Sequence, residues 1–166
     1  GTSVFDPVLC EIMYKWFNTP NGKIIDPFAG GSVRGIIASI LGYAYYGNDL
    51  RQEQIEANYI NAKEVLKDNY KMPKWSSGDS LNIDKIIEDD DFDMIFSCPP
   101  YADLEVYSKD KRDISNMEYT EFVDTYKKIT HKTLRKLKDN RFAVFVVGDV
   151  RDKDGAYRCF VEETVK

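Results

Sequence analysis

The sequence predicts an α/β fold, an open and mostly parallel sheet with helices on both faces, and three observations predict it. Short β-prone runs alternate with stripes of apolar residues at helical spacing along the whole chain. Lys23 to Leu41 reads as a strand, a glycine turn and a helix in immediate succession. Phe142 to Val147 is a near-continuous apolar run, the pattern of a strand buried on both faces. Strands separated by helices are joined by crossovers, and those crossovers are right-handed.

Asp6-Pro7 marks a helix start, with Asp as the cap and Pro at the first helical position; Val8, Leu9, Ile12, Met13, Trp16 and Phe17 then recur at helical spacing. Thr19-Pro20-Asn21-Gly22 ends that helix. Lys23 to Phe28 is β-prone, Ala29-Gly30-Gly31-Ser32 turns, and Val33, Ile36, Ile37, Ile40 and Leu41 form the next stripe before Gly42. Ala44 to Asn48 reads as a second strand, and Ile55, Tyr59, Ala62 and Leu66 line one side of a polar helix. Lys74 to Ser76 gives a weak third strand. Phe92 to Ser97 gives a fourth, stopped by Pro99-Pro100, because proline cannot donate to a ladder. After a polar loop from Tyr107 to Asn116, the stripe Tyr119, Phe122, Val123, Tyr126, Ile129, Leu134 and Leu137 predicts a long helix before the Phe142 strand. The architecture is therefore Rossmann-like, and ligands of such sheets bind beyond the carboxyl ends of the strands.

The chain has 166 residues, about one domain's worth. With 43% hydrophobic, 13% aromatic and 31% charged residues it can bury a core, which excludes intrinsic disorder and collagen-like repeats. The absence of a long apolar run or a basic-then-apolar N-terminus points away from a membrane, and the expected compartment is the cytoplasm. Cys10, Cys98 and Cys159 are widely spaced and read as thiols. A net charge of −5 counts against a uniformly basic nucleic-acid surface. Its distribution is uneven: Lys127, Lys128, Lys132, Arg135, Lys136, Lys138 and Arg141 form a basic run with His131, whereas Asp84 to Asp93 is mostly acidic. The basic run has two readings, a solvated helix face, which is the plain one, or a face that meets DNA phosphate, and His131 reads as a surface residue within it.

Three strand ends carry polar residues. Asp26-Pro27-Phe28-Ala29-Gly30-Gly31-Ser32 opens a helix with small residues that admit a ligand close to the backbone, although any α/β protein has such tight connections. A phosphate would want the helix end free of acid, so Asp26 at the mouth of the turn suggests a ligand bearing an ammonium. Asp49 follows the second strand, where an acidic side chain accepts both hydroxyls of a ribose. Asp79 has two readings, an acceptor for an exocyclic amine or the cap of a helix starting near Ser80. Ser97-Cys98-Pro99-Pro100-Tyr101 fixes rigid backbone acceptors beside an aromatic ring, an arrangement suited to a planar base with an amino group.

Asp26-Pro27-Phe28-Ala29-Gly30 and Ser97-Cys98-Pro99-Pro100-Tyr101 resemble the cofactor and catalytic motifs of the S-adenosylmethionine-dependent DNA amino-methyltransferases, which act on adenine N6 or cytosine N4. The resemblance covers nearly the whole chain, read as one catalytic domain spanning 1–166 with the class I methyltransferase fold. It implies a cofactor site of Phe5, Asp6, Asp26, Phe28, Ala29, Gly30, Asp49, Leu50, Asp79 and Ser80. Within it Asp49 meets the ribose, Asp79 lies near the adenine amine and Asp26 near the methionyl ammonium. The implied catalytic set is Ser97, Cys98, Pro99, Pro100 and Tyr101, with direct transfer to nitrogen and no metal. Lys109, Lys111 and Arg112, in the loop after the catalytic motif, are the residues placed to touch a DNA phosphate. Leu104 and Tyr107 after the motif lean the resemblance toward the cytosine-N4 enzymes.

The chain departs from the family pattern at three points. Cys98 stands where Asp, Asn or Ser usually precedes Pro-Pro, and sulfur is a poor acceptor. It reads as a near-isosteric stand-in for Ser, as a sign of lost activity, or as a thiolate that attacks C6 of a pyrimidine. Ser32 replaces a second glycine of the cofactor turn. The family's last two strands have no counterpart before Lys166, so target recognition is expected from a separate domain or partner. A cofactor- or DNA-binding module without turnover, and a methyltransferase acting on RNA or protein, are the competing readings.

Overall fold

The computed structural model describes residues 4–101, 108–152 and 154–166. In chain order its elements are α1 (Pro7–Phe17), β1 (Lys23–Asp26), α2 (Val33–Ile40), β2 (Ala44–Asp49), α3 (Gln52–Val65), β3 (Lys74–Ser77), α4 (Ile83–Ile86), β4 (Phe92–Ser97), α5 (Tyr119–Leu134), β5 (Leu137–Phe145) and α6 (Phe160–Val165). Two 3-10 turns, Ser80–Asn82 and Ile114–Asn116, precede α4 and α5. The five strands form one sheet in the order β3-β2-β1-β4-β5, and every pairing is parallel. β1 sits at its centre, so its C-terminal turn lies between the ends of β2 and β4.

Alternation along the strands divides the core between the two faces. Ile24, Tyr45, Met94 and Phe96 pack with Cys10 and Tyr14 of α1, Ile36 and Ala38 of α2, and Ile55 and Ala62 of α3. Their neighbours Ile25 and Ile95 turn to the other side, against Ile83 and Ile87. On that side Phe122, Tyr126 and Ile129 of α5 pack with Phe160 of α6. The helix starts follow the capping rules: the Asp6 carboxylate accepts from the N–H groups of Val8 at 2.8 Å and Leu9 at 3.3 Å, and Pro7 is the first residue of α1. Among the described residues no helix is long and apolar enough to cross a membrane. The three cysteines are free, and burial pushes the Cys10 thiol up to about 12.

The last strand differs most from the sequence reading: β5 runs from Leu137 to Phe145 rather than from Phe142 to Val147, and because it is the edge strand of the sheet none of its residues is buried, with Phe142 54% exposed. Other boundaries shift as well. β1 stops at Asp26 rather than Phe28, because the Phe28 N–H turns back to the Asp26 carboxylate at 3.1 Å. Leu137 belongs to β5 and not to the α5 stripe. The helix is closed when the Arg135 N–H bonds His131 C=O and the Lys136 N–H bonds Thr133 C=O, and the Phe92 N–H then takes the Lys136 carbonyl at 2.9 Å. β5 contains an irregularity that no periodicity announces. The register steps from Phe92↔Leu137 to Met94↔Phe142, and Asn140 between them has φ 57°.

The basic run meets the acidic segment inside this fold. Lys132 bonds Asp84 at 3.3 Å, Lys136 bonds Asp90 at 2.9 Å, and Lys138 and Arg141 converge on Asp93 at 2.9 and 3.4 Å. Lys127 pairs with Glu163 of α6. Burial opposes the charge of Asp93, but Lys138, the Lys23 amide and Arg141 hold its carboxyl below the usual range. His131 is exposed on α5.

Candidate active site

The turn after β1 is held from every neighbouring element. β2 reaches it twice: the Ala29 N–H bonds Asn48 C=O at 2.9 Å, and the Gly30 N–H bonds the Asp49 carboxylate at 3.1 Å. From the end of β3, the Ser80 hydroxyl donates to Pro27 C=O at 2.6 Å and accepts from the Asn48 amide at 2.8 Å. α3 contributes Asn58, whose side-chain N–H bonds Gly30 C=O at 2.8 Å. From α2, Arg34 donates to the carbonyls of Phe28 at 2.6 Å and Ala29 at 2.9 Å. The four consecutive carbonyls from Pro27 to Gly30 each accept from a side chain outside the turn.

Gly30 explains why glycine is required here. Its φ is +51°, the left-handed region, and a Cβ built on it meets nothing within 4 Å. The same is true of space at Gly31, so the turn faces open room at the carboxyl end of the sheet. Asp49 is 16% exposed in its side chain. Burial raises its carboxyl above the ordinary value, against the pull of the Arg51 amide, the Arg51 charge and the Gly30 amide.

Asp26 differs from its sequence reading. It is fully buried, and its four lone-pair positions are filled: Oδ1 accepts from the Phe28 N–H at 3.1 Å and the Ser97 hydroxyl at 2.5 Å, and Oδ2 accepts from Arg34 Nε at 2.7 Å and the Tyr45 hydroxyl at 2.7 Å. The charge at the mouth of the turn is therefore met by Arg34. The ammonium ligand, inferred from an Asp26 carboxylate free to receive it, loses that argument.

The other predicted residues take these places. Phe5 lies at 4.7 Å over the Arg34 guanidinium and edge-on to Phe96, and Asp6 is exposed and caps α1. Phe28 stacks on Tyr126 at 6.0 Å, Ala29 is fully buried and Leu50 is half-buried. Asp79 caps the turn before α4, its Oδ1 accepting from the Leu81 N–H at 2.9 Å. Ser80 is buried, with its hydroxyl bonded to the protein's own backbone. Ser32 is 7% exposed and accepts from Asn61 at 3.2 Å, so its side chain is held toward α3.

At the end of β4, the Val146 N–H bonds Ser97 C=O at 2.9 Å as the ladder's last rung before Pro99 and Pro100, which have no N–H to continue it. Pro99 is buried, whereas Cys98, Pro100 and Tyr101 are half-buried. Burial lifts the Cys98 thiol above its ordinary value despite the nearby Arg34 charge, so at neutral pH it is protonated and ill-suited to attack as a thiolate. Tyr101 packs edge-on against Phe160 at 6.1 Å. Lys109, Lys111 and Arg112 are exposed. Arg112 is paired with Asp110 at 2.6 Å, while Lys109 and Lys111 line an open cleft of about 460 Å³ with Ser108, Asn116 and Glu121. Leu104 and Tyr107 lie outside the described residues.

Sequence reasoning missed Arg34, Tyr45, Asn48 and Asn58. Arg34 had a signal: a cation between the apolar stripe residues Val33, Ile36 and Ile37 must find a buried counter-charge.

Comparison with family models and with curated proteins finds no match. Solved structures do match. TrmN from Thermus thermophilus aligns with TM-score 0.65 and 14% identity over 85% of this chain and 38% of its own, so the chain spans under two fifths of TrmN. An rRNA methylase from Streptococcus thermophilus aligns with TM-score 0.64 and 10% identity over 99% of this chain and 83% of its own. A TehB-like SAM-dependent methyltransferase from Corynebacterium glutamicum aligns with TM-score 0.58 and 20% identity over 99% and 73%. At these identities the likeness is one of fold, and the chain has the Rossmann-like fold of the class I methyltransferases.

Proposed function

We propose that this chain transfers a methyl group from S-adenosylmethionine to an exocyclic amino group of a nucleobase, cytosine N4 or adenine N6, in DNA. The observation that carries the reading is the hydrogen bond from Ser97 to Asp26, 2.5 Å long, which sets the Pro-Pro-Tyr segment directly beside the glycine turn. The two motifs that resemble amino-methyltransferase motifs, 71 positions apart in sequence, meet through that contact.

The residues present fit the cofactor at its ribose end. Asp49 would accept from the ribose hydroxyls, the open space over Gly30 and Gly31 would admit the chain toward sulfur, and Leu50 and Asp79 would border the adenine. Bound there, S-adenosylmethionine supplies an electrophilic methyl group on a sulfonium sulfur. The target base must leave its stack to reach the strand ends. Tyr101 would stack on it. The Pro99 carbonyl, fixed by its ring, would accept one amine hydrogen and turn the nitrogen lone pair toward the methyl group, with the Cys98 thiol filling the volume beside it. As the new nitrogen–carbon bond forms, the methyl–sulfur bond would break with its electron pair passing to sulfur, leaving S-adenosylhomocysteine, and the methylated nitrogen would release one proton to solvent.

RNA is the second substrate reading, favoured by the likeness in fold to the Streptococcus thermophilus rRNA methylase. The test is incubation with methyl-deuterated S-adenosylmethionine and DNA or RNA, followed by digestion and mass spectrometry of the nucleosides. Label on deoxycytidine or deoxyadenosine supports the proposal, and label confined to ribonucleosides moves it to RNA. Cofactor bound without label in any acceptor makes the chain a binding module.

A further inference from the structure

We propose that Arg34 is a positioning residue which makes the cofactor turn and the catalytic strand end one rigid unit, an inference that rests on the function proposed above. Arg34 extends from α2 with its side chain 5% exposed. Its Nη2 bridges the carbonyls of Phe28 and Ala29, at 2.6 and 2.9 Å, and its Nε donates to Asp26 Oδ2 at 2.7 Å. The opposite oxygen of that carboxylate accepts from Ser97, the residue before Cys98. Charge-assisted bonds thus run without a break from the backbone of the turn to the start of the Pro-Pro segment. Only a planar fork does this: a lysine would bring the charge, but its single ammonium lacks the geometry to hold Asp26 and two carbonyls together. Tyr45 at 2.7 Å keeps the carboxylate from rotating.

A coupled unit makes a measurable demand. Substitutions at its two ends must affect cofactor binding non-additively, whereas unrelated structural losses multiply. The measurement is calorimetric affinity for S-adenosylmethionine of the wild-type chain, Arg34→Lys, Ser97→Ala and the double variant, with circular dichroism to verify folding. Arg34→Lys should weaken binding roughly 10- to 100-fold, the worth of a charged hydrogen bond. Ser97→Ala should weaken it several-fold, and the double variant should lose less than the product of the two. Should Arg34→Lys fail to fold, Tyr45→Phe replaces it in the same cycle with the same expected non-additivity. A folded Arg34→Lys with wild-type affinity, or effects that multiply, overturns the positioning role. A wild-type chain that binds no S-adenosylmethionine overturns the proposed function itself and this inference with it.

Discussion

The turns after β1 and β4 are both rigid, and they are made rigid by different physics. The β1 turn is flexible by composition, with two glycines in succession, and its shape is imposed by side chains of α2, α3, β2 and the β3 end that bond its carbonyls and amides. The β4 turn carries its stiffness in its own covalent structure, since two successive proline rings fix φ, and a single hydroxyl ties it to its neighbour. The first can admit a ligand against bare backbone because its own polar groups are already bonded from behind. The second stops the ladder because its two successive prolines have no N–H to continue it. A turn held by others is sensitive to substitutions far from it, and a turn stiffened by its own rings feels distant substitutions through its tie from Ser97 to Asp26.

The largest expected effect tests the first half of that contrast. Asp26→Ala leaves the Arg34 guanidinium buried with no counter-charge, and removing one partner of a buried pair typically costs about 3 to 5 kcal/mol. Urea denaturation should show a loss of that size, and a stability close to wild type would mean that the pair does not organise the turn.

Asp49→Ala comes next, and its effect falls on binding. Loss of a hydrogen bond to a charged acceptor should weaken S-adenosylmethionine by roughly 1.5 to 3 kcal/mol. Calorimetry showing unchanged affinity removes Asp49 from the site. The pH dependence follows from the raised carboxyl: affinity should be constant at neutral pH and fall on acidification through a pH above the ordinary aspartate range. For folding the sign is opposite. A raised carboxyl favours the folded state at pH below the unfolded value, and that contribution is lost as pH rises through the folded one.

The alternation of strand and helix was legible from the apolar spacing, and the capping of α1 from Asp6-Pro7, because both depend on residues close in sequence, whereas the strand order β3-β2-β1-β4-β5 was not. Where Asp26 directs its charge was not legible, because its partners Arg34, Tyr45 and Ser97 come from α2, β2 and β4, and only the sheet brings them together. Leu137 shows the same limit at a boundary. Its spacing continues the α5 stripe, but the carbonyl of Lys136 is claimed by Phe92 across the sheet, which pulls the chain into a strand. The neutralisation of the basic run was half visible, in that both charge blocks could be read but their meeting could not.

The β4 turn offers the next test. Tyr101→Ala should cost about 1 to 3 kcal/mol in substrate use, the worth of one base stacked on an aromatic ring, while cofactor affinity stays near wild type. Smaller still is Cys98→Ser, which offers a better acceptor in nearly the same volume and should keep or raise turnover, whereas Cys98→Ala should lower it by a modest factor. A nucleophilic thiolate demands the reverse, loss of essentially all turnover in both variants. Direct transfer to nitrogen would be falsified if Cys98→Ser abolished methylation with cofactor affinity intact.

The smallest effect separates two kinds of lysine. Lys132 gives its ammonium to Leu81 C=O and to Asp84, whereas among the described residues no ion pair reaches Lys109 or Lys111. A charge already held by a carboxylate has few counterions to release from a nucleic acid, so only the second kind should contribute to salt-dependent binding. Lys111→Ala should reduce the slope of log affinity against log salt by about 1, one phosphate contact, and weaken binding similarly across sequences. Lys132→Ala should leave that slope alone and change stability little, since its pair with Asp84 is exposed to solvent. The measurement is a salt titration of oligonucleotide binding for both variants. Equal slopes for Lys111→Ala and wild type would take the loop after the catalytic turn out of substrate contact, and a reduced slope for Lys132→Ala would assign that contact to the α5 face.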